Sequence, residues 1–428
     1  MDKEQFDMAI IGAGPAGLSA ARAAAGAGLR TVLLERLGGP GEPAHPCGGA
    51  IAPLPGFVSG QRRGDGLYFR QLSLLIPSAL VLGYPRLQRY VSPNGHEFRA
   101  AFPCRDDFPV ATIDKAGLLR LLAEKARAAG ANLRFGTLVT GLLVEGDRIV
   151  GVRTRGDEIR ASVTISAEGI SRRFCEEAGL YRHVRPAQRY VFVVSKDYDA
   201  PAVHAEHLGQ IVTLGRRYTS AAQGIGAVVL PSPDRAYAYF SAFAHTPQLR
   251  GEKPLWFYLD EYIEKDPRIQ DFFVSARAIR RSGCRMVIRD APRRVVCDGF
   301  LGVGDAVTPG GHLGIIPSIY LGQEAALVAA EAVLTGDTSV KGLEAYDRLF
   351  HGPILRGLET ESKIMLALAA MNDQEIDRLC QTLSTLNLAP FFFGDWRPML
   401  SESMRWLRGQ LPFIVRDRGL LLRMWKGA

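Results

Sequence analysis

The sequence predicts an α/β fold: a parallel sheet with a covering helix, interrupted by a larger antiparallel insertion and followed by helices. Three observations carry this. An apolar run at 8–11 leads into Gly12, Gly14 and Gly17, an Ala-rich stretch to Ala27, and a second apolar run at 31–34 that ends on Glu35. Strand-like segments rich in Val, Tyr and Phe fill 190–244. From Lys341 onward the pattern is mostly helical.

The opening stretch has the order strand, glycines, helix, strand, acid. That is the order of a Rossmann-type dinucleotide-binding unit. The first glycine permits a tight turn, the second lets backbone approach a pyrophosphate, and the third lets helix and strand pack closely. The helix start offers free N–H groups and the positive end of a dipole to the phosphates. Glu35 follows at about the twenty-residue distance that suits a ribose-binding carboxylate, with Arg36 beside it.

Next comes a loop dense in Gly and Pro, at 37–53. Within it, Gly48 and Gly49 allow backbone to come close to a bound ring system. The stretch 57–105 reads as short strands, with Pro93-Asn94-Gly95 a hairpin turn. Apolar spacing predicts a helix over 114–130. A strand at 132–144 and a small meander at 147–152 and 158–165 follow, ending in Ser166-Ala167-Glu168-Gly169. An antiparallel sheet is expected over 190–271, with a helix at 255–265. A strand at 295–306 runs into Gly304-Asp305-Ala306, and a helix is expected at 319–334. The resulting division assigns 1–56, 105–185 and 285–335 to a nucleotide-binding domain. It assigns 57–104 and 186–284 to a substrate domain, and 336–428 to a helical C-terminal region.

Composition excludes several classes. The six cysteines are scattered with no CxxC pair, which argues against a zinc site or a disulfide framework and fits a reducing cytoplasm. The first apolar run is the nucleotide-binding strand, so no signal peptide is expected. No clean run reaches the about 18 apolar residues of a membrane span. The net charge of +8 is concentrated: 396–428 alone carries +5 among Trp, Leu, Met and Phe. Such a tail suits the surface of an anionic membrane, or a helix pair with a solvated basic face. No nucleic-acid-binding motif accompanies the charge.

Gly304-Asp305-Ala306, followed by Gly310, Gly311 and Gly314 before a helix, is a second nucleotide signal: the carboxylate can hold a ribityl or ribose hydroxyl. Together, GAGPAG, Glu35-Arg36, SAEG at 166–169 and GDA at 304–306 resemble the FAD-binding fold of the glutathione-reductase class. The loop Pro46-Cys47-Gly48-Gly49-Ala50-Ile51 is similar to the PCGGAI loop of geranylgeranyl reductases. The resemblance implies a three-layer ββα FAD domain, an antiparallel-sheet substrate domain and a helical end. It places FAD contacts at Ala16, Glu35, Cys47, Gly48, Ala50, Val139, Asp305, Gly314 and Ile315. Lys115 stands where the family carries an Arg, and Arg105 is a second candidate. Where the family continues Gly-Glu-Gly-Ile, this chain has Gly311-His312-Leu313-Gly314. Cys47 and His312 are therefore the candidate proton donors.

The expected activity is FAD-dependent reduction of carbon–carbon double bonds in a lipophilic, isoprenoid substrate. NADPH or a ferredoxin-type protein would donate electrons, since no second GxGxxG is present. The uncharged segment 72–85 and the aromatics at 237–243 are expected to line the substrate pocket. Two alternatives share the nucleotide site: a monooxygenase of an aromatic or polyketide substrate, and a quinone-reducing electron-transfer flavoprotein. The expected location is cytoplasmic, peripheral on the inner face of a membrane.

Overall fold

A computed structural model describes residues 4–384 apart from 43–45, 102–104, 108, 188, 200, 205–206, 220–221, 250, 252 and 311–312. Among the described residues the α-helices are α1 (Pro15–Gly26), α2 (Lys115–Ala128), α3 (Arg173–Glu177), α4 (Leu255–Lys265), α5 (Ile315–Thr335), α6 (Val340–Leu349), α7 (Leu355–Ala370) and α8 (Asp373–Leu383).

The Glu4–Ile11 strand lies between Thr31–Leu34 and Glu158–Ser166, all parallel. Asn132–Arg134 extends the sheet beyond Thr31–Leu34, and Phe300–Gly302 pairs in parallel with Glu158–Ser166. Strands buried on both faces need apolar residues at nearly every position, which is why 8–11 and 31–34 read as unbroken runs. α1 and α5 pack on each other beside this sheet so closely that Gly322 of α5 rests on the Ala16 backbone. Val139–Glu145 and Arg148–Thr154 form an antiparallel meander that continues from Glu158–Ser166.

Three expected elements change here. The single strand at 132–144 divides around Gly136, which has φ +70°. Its first part joins the parallel sheet and its second part the meander. The strand at 295–306 is a tight pair, Val296–Cys297 and Phe300–Gly302, turned by Gly299 at φ +74°. The helix expected from 319 begins at Ile315, directly after Gly314.

A seven-stranded sheet forms the second body. Its order is Arg277–Ile288, Arg189–Asp199, Arg235–Ala244, Ala222–Ser232, Gly209–Thr219, Leu87–Val91, Glu97–Ala101. Alternation separates its faces. Val194 packs in the cluster with Tyr258, Leu259 and Tyr262 of α4, whereas Val193 packs with Leu366 of α7. The stretch 57–104 splits between the two bodies. Leu87–Val91 and Glu97–Ala101 join the seven-stranded sheet, while Gly60–Arg63, Gly66–Phe69 and Leu74–Pro77 form a small sheet of their own. Leu72, Leu74 and Ile76 are fully buried in the core under the nucleotide-binding sheet. That part of 72–85 is core and not pocket wall.

Candidate functional site

The glycine loop divides its labour by position. A Cβ on Gly12, at φ +99°, would lie 2.5 Å from the Ala167 carbonyl oxygen, and one on Gly17 would lie 1.9 Å from the Gly12 oxygen. Both glycines are demanded by packing. Gly14 differs: it caps α1 with φ −74°, and nothing lies within 4 Å of a Cβ built on it. The open space it faces is a cleft. No side chain caps the first turn of α1, and Pro15 occupies its start, so the helix presents its remaining N–H groups outward.

Glu35 is fixed by the same loop. The Ala13 N–H donates to one carboxylate oxygen at 2.8 Å, and the Leu37 N–H donates to the other at 2.9 Å. Gly14 and Glu35 line a cleft together with Glu42, Cys47 and Lys115. Its far wall belongs to the seven-stranded sheet: Tyr237, Arg280 and Ser282.

The loop 46–49 is wedged between the two bodies. The Ile113 N–H donates to the Gly49 oxygen at 2.9 Å, and a Cβ on Gly49, at φ +71°, would lie 2.4 Å from the Ile113 oxygen. Gly48 abuts Val229 and Tyr237. Cys47 is a half-buried free thiol on this loop. Tyr237 is 8% exposed. Burial pushes its phenol well above the usual range, a hydrogen bond with Ser195 opposes this, and Cys47 lies near enough to act on it. The Ser195 and Ser282 hydroxyls are 2.8 Å apart.

A second turn closes in from behind. A Cβ on Gly304, at φ +64°, would lie 3.3 Å from the Ala16 Cβ. The Val303 N–H donates to the Ser166 oxygen at 2.9 Å. Asp305 lies in the Gly304–Ala306 turn, whose Ala306 oxygen accepts from the Tyr181 hydroxyl at 2.8 Å. The buried Arg172 donates to the Thr308 oxygen. Gly169, at φ +70°, opens the adjacent 3-10 turn, Gly169–Ser171. Glu168 is turned to a structural task, accepting N–H bonds from Phe174 at 2.6 Å and Cys175 at 3.2 Å. Burial raises its carboxyl above the usual range.

Other expected contacts are not in the lining of the cleft. Val139 is buried at the head of the meander, and Arg36 lines a separate recess with Thr137, Leu138 and Thr154. Ala50 pairs with Thr112 on an exposed strand position. Gly314, at φ +90°, caps α5, and Ile315 is the buried first residue of that helix. Arg105 lies apart from the cleft, in a recess with Arg62 and Tyr84, and pairs with Asp107 at 2.7 Å. Gly311, His312 and the basic C-terminal tail lie outside the described residues. Arg280 and Ser282 had not been expected from the sequence. Their signal is only the alternation of polar residues along one strand.

A dinucleotide fits this arrangement. Gly14 leaves open the volume a phosphate needs, the uncapped α1 points into it, and Glu35 stands beside it.

The comparisons with known proteins agree. A family model described as FAD dependent oxidoreductase matches residues 85–326, and one described as FAD binding domain matches 7–56. The digeranylgeranylglycerophospholipid reductase of Methanosarcina acetivorans is 22% identical over 97% of both chains. That of Haloferax volcanii is 25% identical over 90% of both. Among solved structures, a geranylgeranyl bacteriochlorophyll reductase-like protein from Thermoplasma acidophilum is similar with a TM-score of 0.75, at 21% identity, covering 90% of this chain and 93% of that one. A flavin-dependent brominase is similar with a TM-score of 0.61 at 14% identity, covering 94% and 99%. These relatives uphold the resemblance carried by the PCGGAI loop. With a family model spanning more than half of its length, the chain belongs to the FAD dependent oxidoreductase family.

Proposed function

We propose that the protein reduces carbon–carbon double bonds of a lipophilic isoprenoid substrate. The observation that carries this is the shared cleft. One wall is the nucleotide-binding loop, and the other is the seven-stranded sheet presenting Tyr237, with Cys47 between them. The relatives named as digeranylgeranylglycerophospholipid reductases match over nine-tenths or more of the chain, which supports the same reading.

When bound, FAD would supply the two-electron, hydride-level reducing chemistry for an alkene. The chain's residues do the rest. The α1 terminus and Gly14 would hold the phosphates of FAD, and Glu35 would hold a ribose hydroxyl. Cys47 gives the proton to the neighbouring alkene carbon and recovers it from solvent. Tyr237 keeps its proton because it is buried, and it orients the wall facing that thiol. His312 remains a second donor candidate, outside the described residues. Electrons arrive from NADPH or a ferredoxin-type protein. The tail 396–428 rests on an anionic membrane, which gives access to a lipid substrate. Among the described residues no helix is long and apolar enough to cross a membrane.

The test is anaerobic incubation of dithionite-reduced holoprotein with prenyl lipids. The expected result is reoxidation of the flavin with a gain of two hydrogens per reduced bond, seen by mass spectrometry. Absence of any saturated product overturns the reading. A hydroxylated product formed with oxygen would establish the monooxygenase instead.

A further inference from the structure

The cleft is lined by two cations that approach from different bodies. Lys115 stands at the first position of α2, and Arg280 projects from the Arg277–Ile288 strand at the edge of the seven-stranded sheet. A register shift marks that strand here: Arg280 pairs with Asp197, but Ala278 pairs with the next residue, Tyr198. One extra residue, Ile279, is thereby accommodated. Bulges of this kind re-aim a side chain and are frequent beside active sites.

The Arg280 guanidinium uses only part of its capacity. Its Nε donates to Asp197, and Asp197 is only partly accessible, at 19%. The terminal N–H groups have no protein acceptor among the described residues, and the side chain is 42% exposed. Lys115 likewise has no ion pair among the described residues. Two carboxylates share this lining: Glu35 is already engaged by two backbone N–H groups, and Glu42 makes no ion pair with either cation among the described residues. Arginine donors forming a planar fork beside a second cation and an uncapped helix start make a phosphate site.

We propose that Arg280 is a phosphate-binding residue of the cleft, lent by the seven-stranded sheet to a ligand gripped by the nucleotide-binding body. Two ligands carry that chemistry: the pyrophosphate of FAD and the phosphate headgroup of a prenyl lipid. The second source rests on the reaction proposed above, and the first does not.

The experiment has two arms. In one, protein stripped of cofactor is titrated with FAD, and the dissociation constant is read from flavin fluorescence at low and high salt. In the other, holoprotein is titrated with a prenyl diphosphate and with the matching prenyl alcohol, and binding is read from the flavin absorbance. Arg280→Gln should weaken one arm about tenfold or more, the loss expected for one charge-assisted hydrogen bond. Arg280→Lys should restore part of it, and added salt should shrink the difference. The double variant D197N/R280Q leaves no carboxylate unpaired and should show the same loss, which separates recognition from misfolding. Weaker FAD binding assigns Arg280 to the cofactor. Weaker binding of the diphosphate but not the alcohol assigns it to the lipid headgroup. Unchanged binding in both arms, or unchanged FAD binding with equal weakening of diphosphate and alcohol, overturns the proposal. If the wild type saturates no prenyl lipid while R280Q still loses FAD, the reaction assignment fails and the phosphate site stands.

Discussion

Gly322 of α5 lies directly on Ala16 of α1: a Cβ at 322 would be 2.1 Å from the Ala16 carbonyl oxygen. The helix whose start faces the cleft is therefore positioned by a helix that begins only at Ile315. Gly322→Ala should push α1 away and cost about 1–3 kcal/mol, the usual range for overpacking. FAD affinity should fall with it. Urea unfolding of the apoprotein and FAD titration test the two effects.

The glycine loop makes a sharper prediction because its members differ. Gly14→Ala should leave apoprotein stability unchanged, since φ at this position suits alanine and the Cβ meets nothing. It should weaken FAD binding roughly tenfold or more by occupying the phosphate's approach. Gly17→Ala should destabilise the fold itself, because its Cβ would overlap the Gly12 oxygen. Equal thermal shifts for the two variants would contradict this division.

Cys47 should matter to turnover and not to cofactor retention. Cys47→Ala is expected to lower the rate of substrate-driven flavin reoxidation about a hundredfold, the lower range for losing a positioned proton donor. The FAD dissociation constant should stay within about twofold, well below the effect of one lost hydrogen bond. Rapid-mixing measurements under nitrogen check the first number, and fluorescence titration checks the second.

Glu168 carries a pH signature. Burial raises its carboxyl above 4.5, while N–H bonds from Phe174 and Cys175 and the hydroxyls of Ser171 and Ser166 oppose that shift. A carboxyl raised in the folded state contributes stability that is complete below the unfolded value. That contribution is lost as pH climbs through the folded value. Wild-type stability should therefore decline relative to Glu168→Gln from about pH 4.5 upward. Urea midpoints at about pH 5 and about pH 8, with FAD held saturating, should show a smaller difference in the variant.

The geometry of the glycine loop was legible because its residues are local. Gly12, Gly14, Gly17 and Glu35 act through a spacing that one strand–helix–strand unit imposes. Arg280 was not legible: its place depends on a one-residue register shift against Asp197, 83 positions away. Gly322 was hidden in an Ala-rich helix, where nothing local marks a close approach to Ala16. The uncharged run containing Leu72, Leu74 and Ile76 suggested a pocket wall, but apolarity alone does not distinguish wall from core. The strand at 132–144 was over-extended because apolar residues flank Gly136 on both sides, and only its positive φ reveals the break.

The pairing of Thr164, Ile165 and Ser166 with Phe300, Leu301 and Gly302 has a consequence for biosynthesis. While the ribosome is still delivering the 130-odd residues between those strands, the nascent nucleotide-binding sheet carries an open edge at the end of Glu158–Ser166. Such an edge can recruit other chains, and long-range pairing closes it slowly. α5, which braces α1, emerges later still. The bracing of α1 is thus completed late in synthesis, and cells that overproduce the protein should accumulate colourless chains before yellow ones.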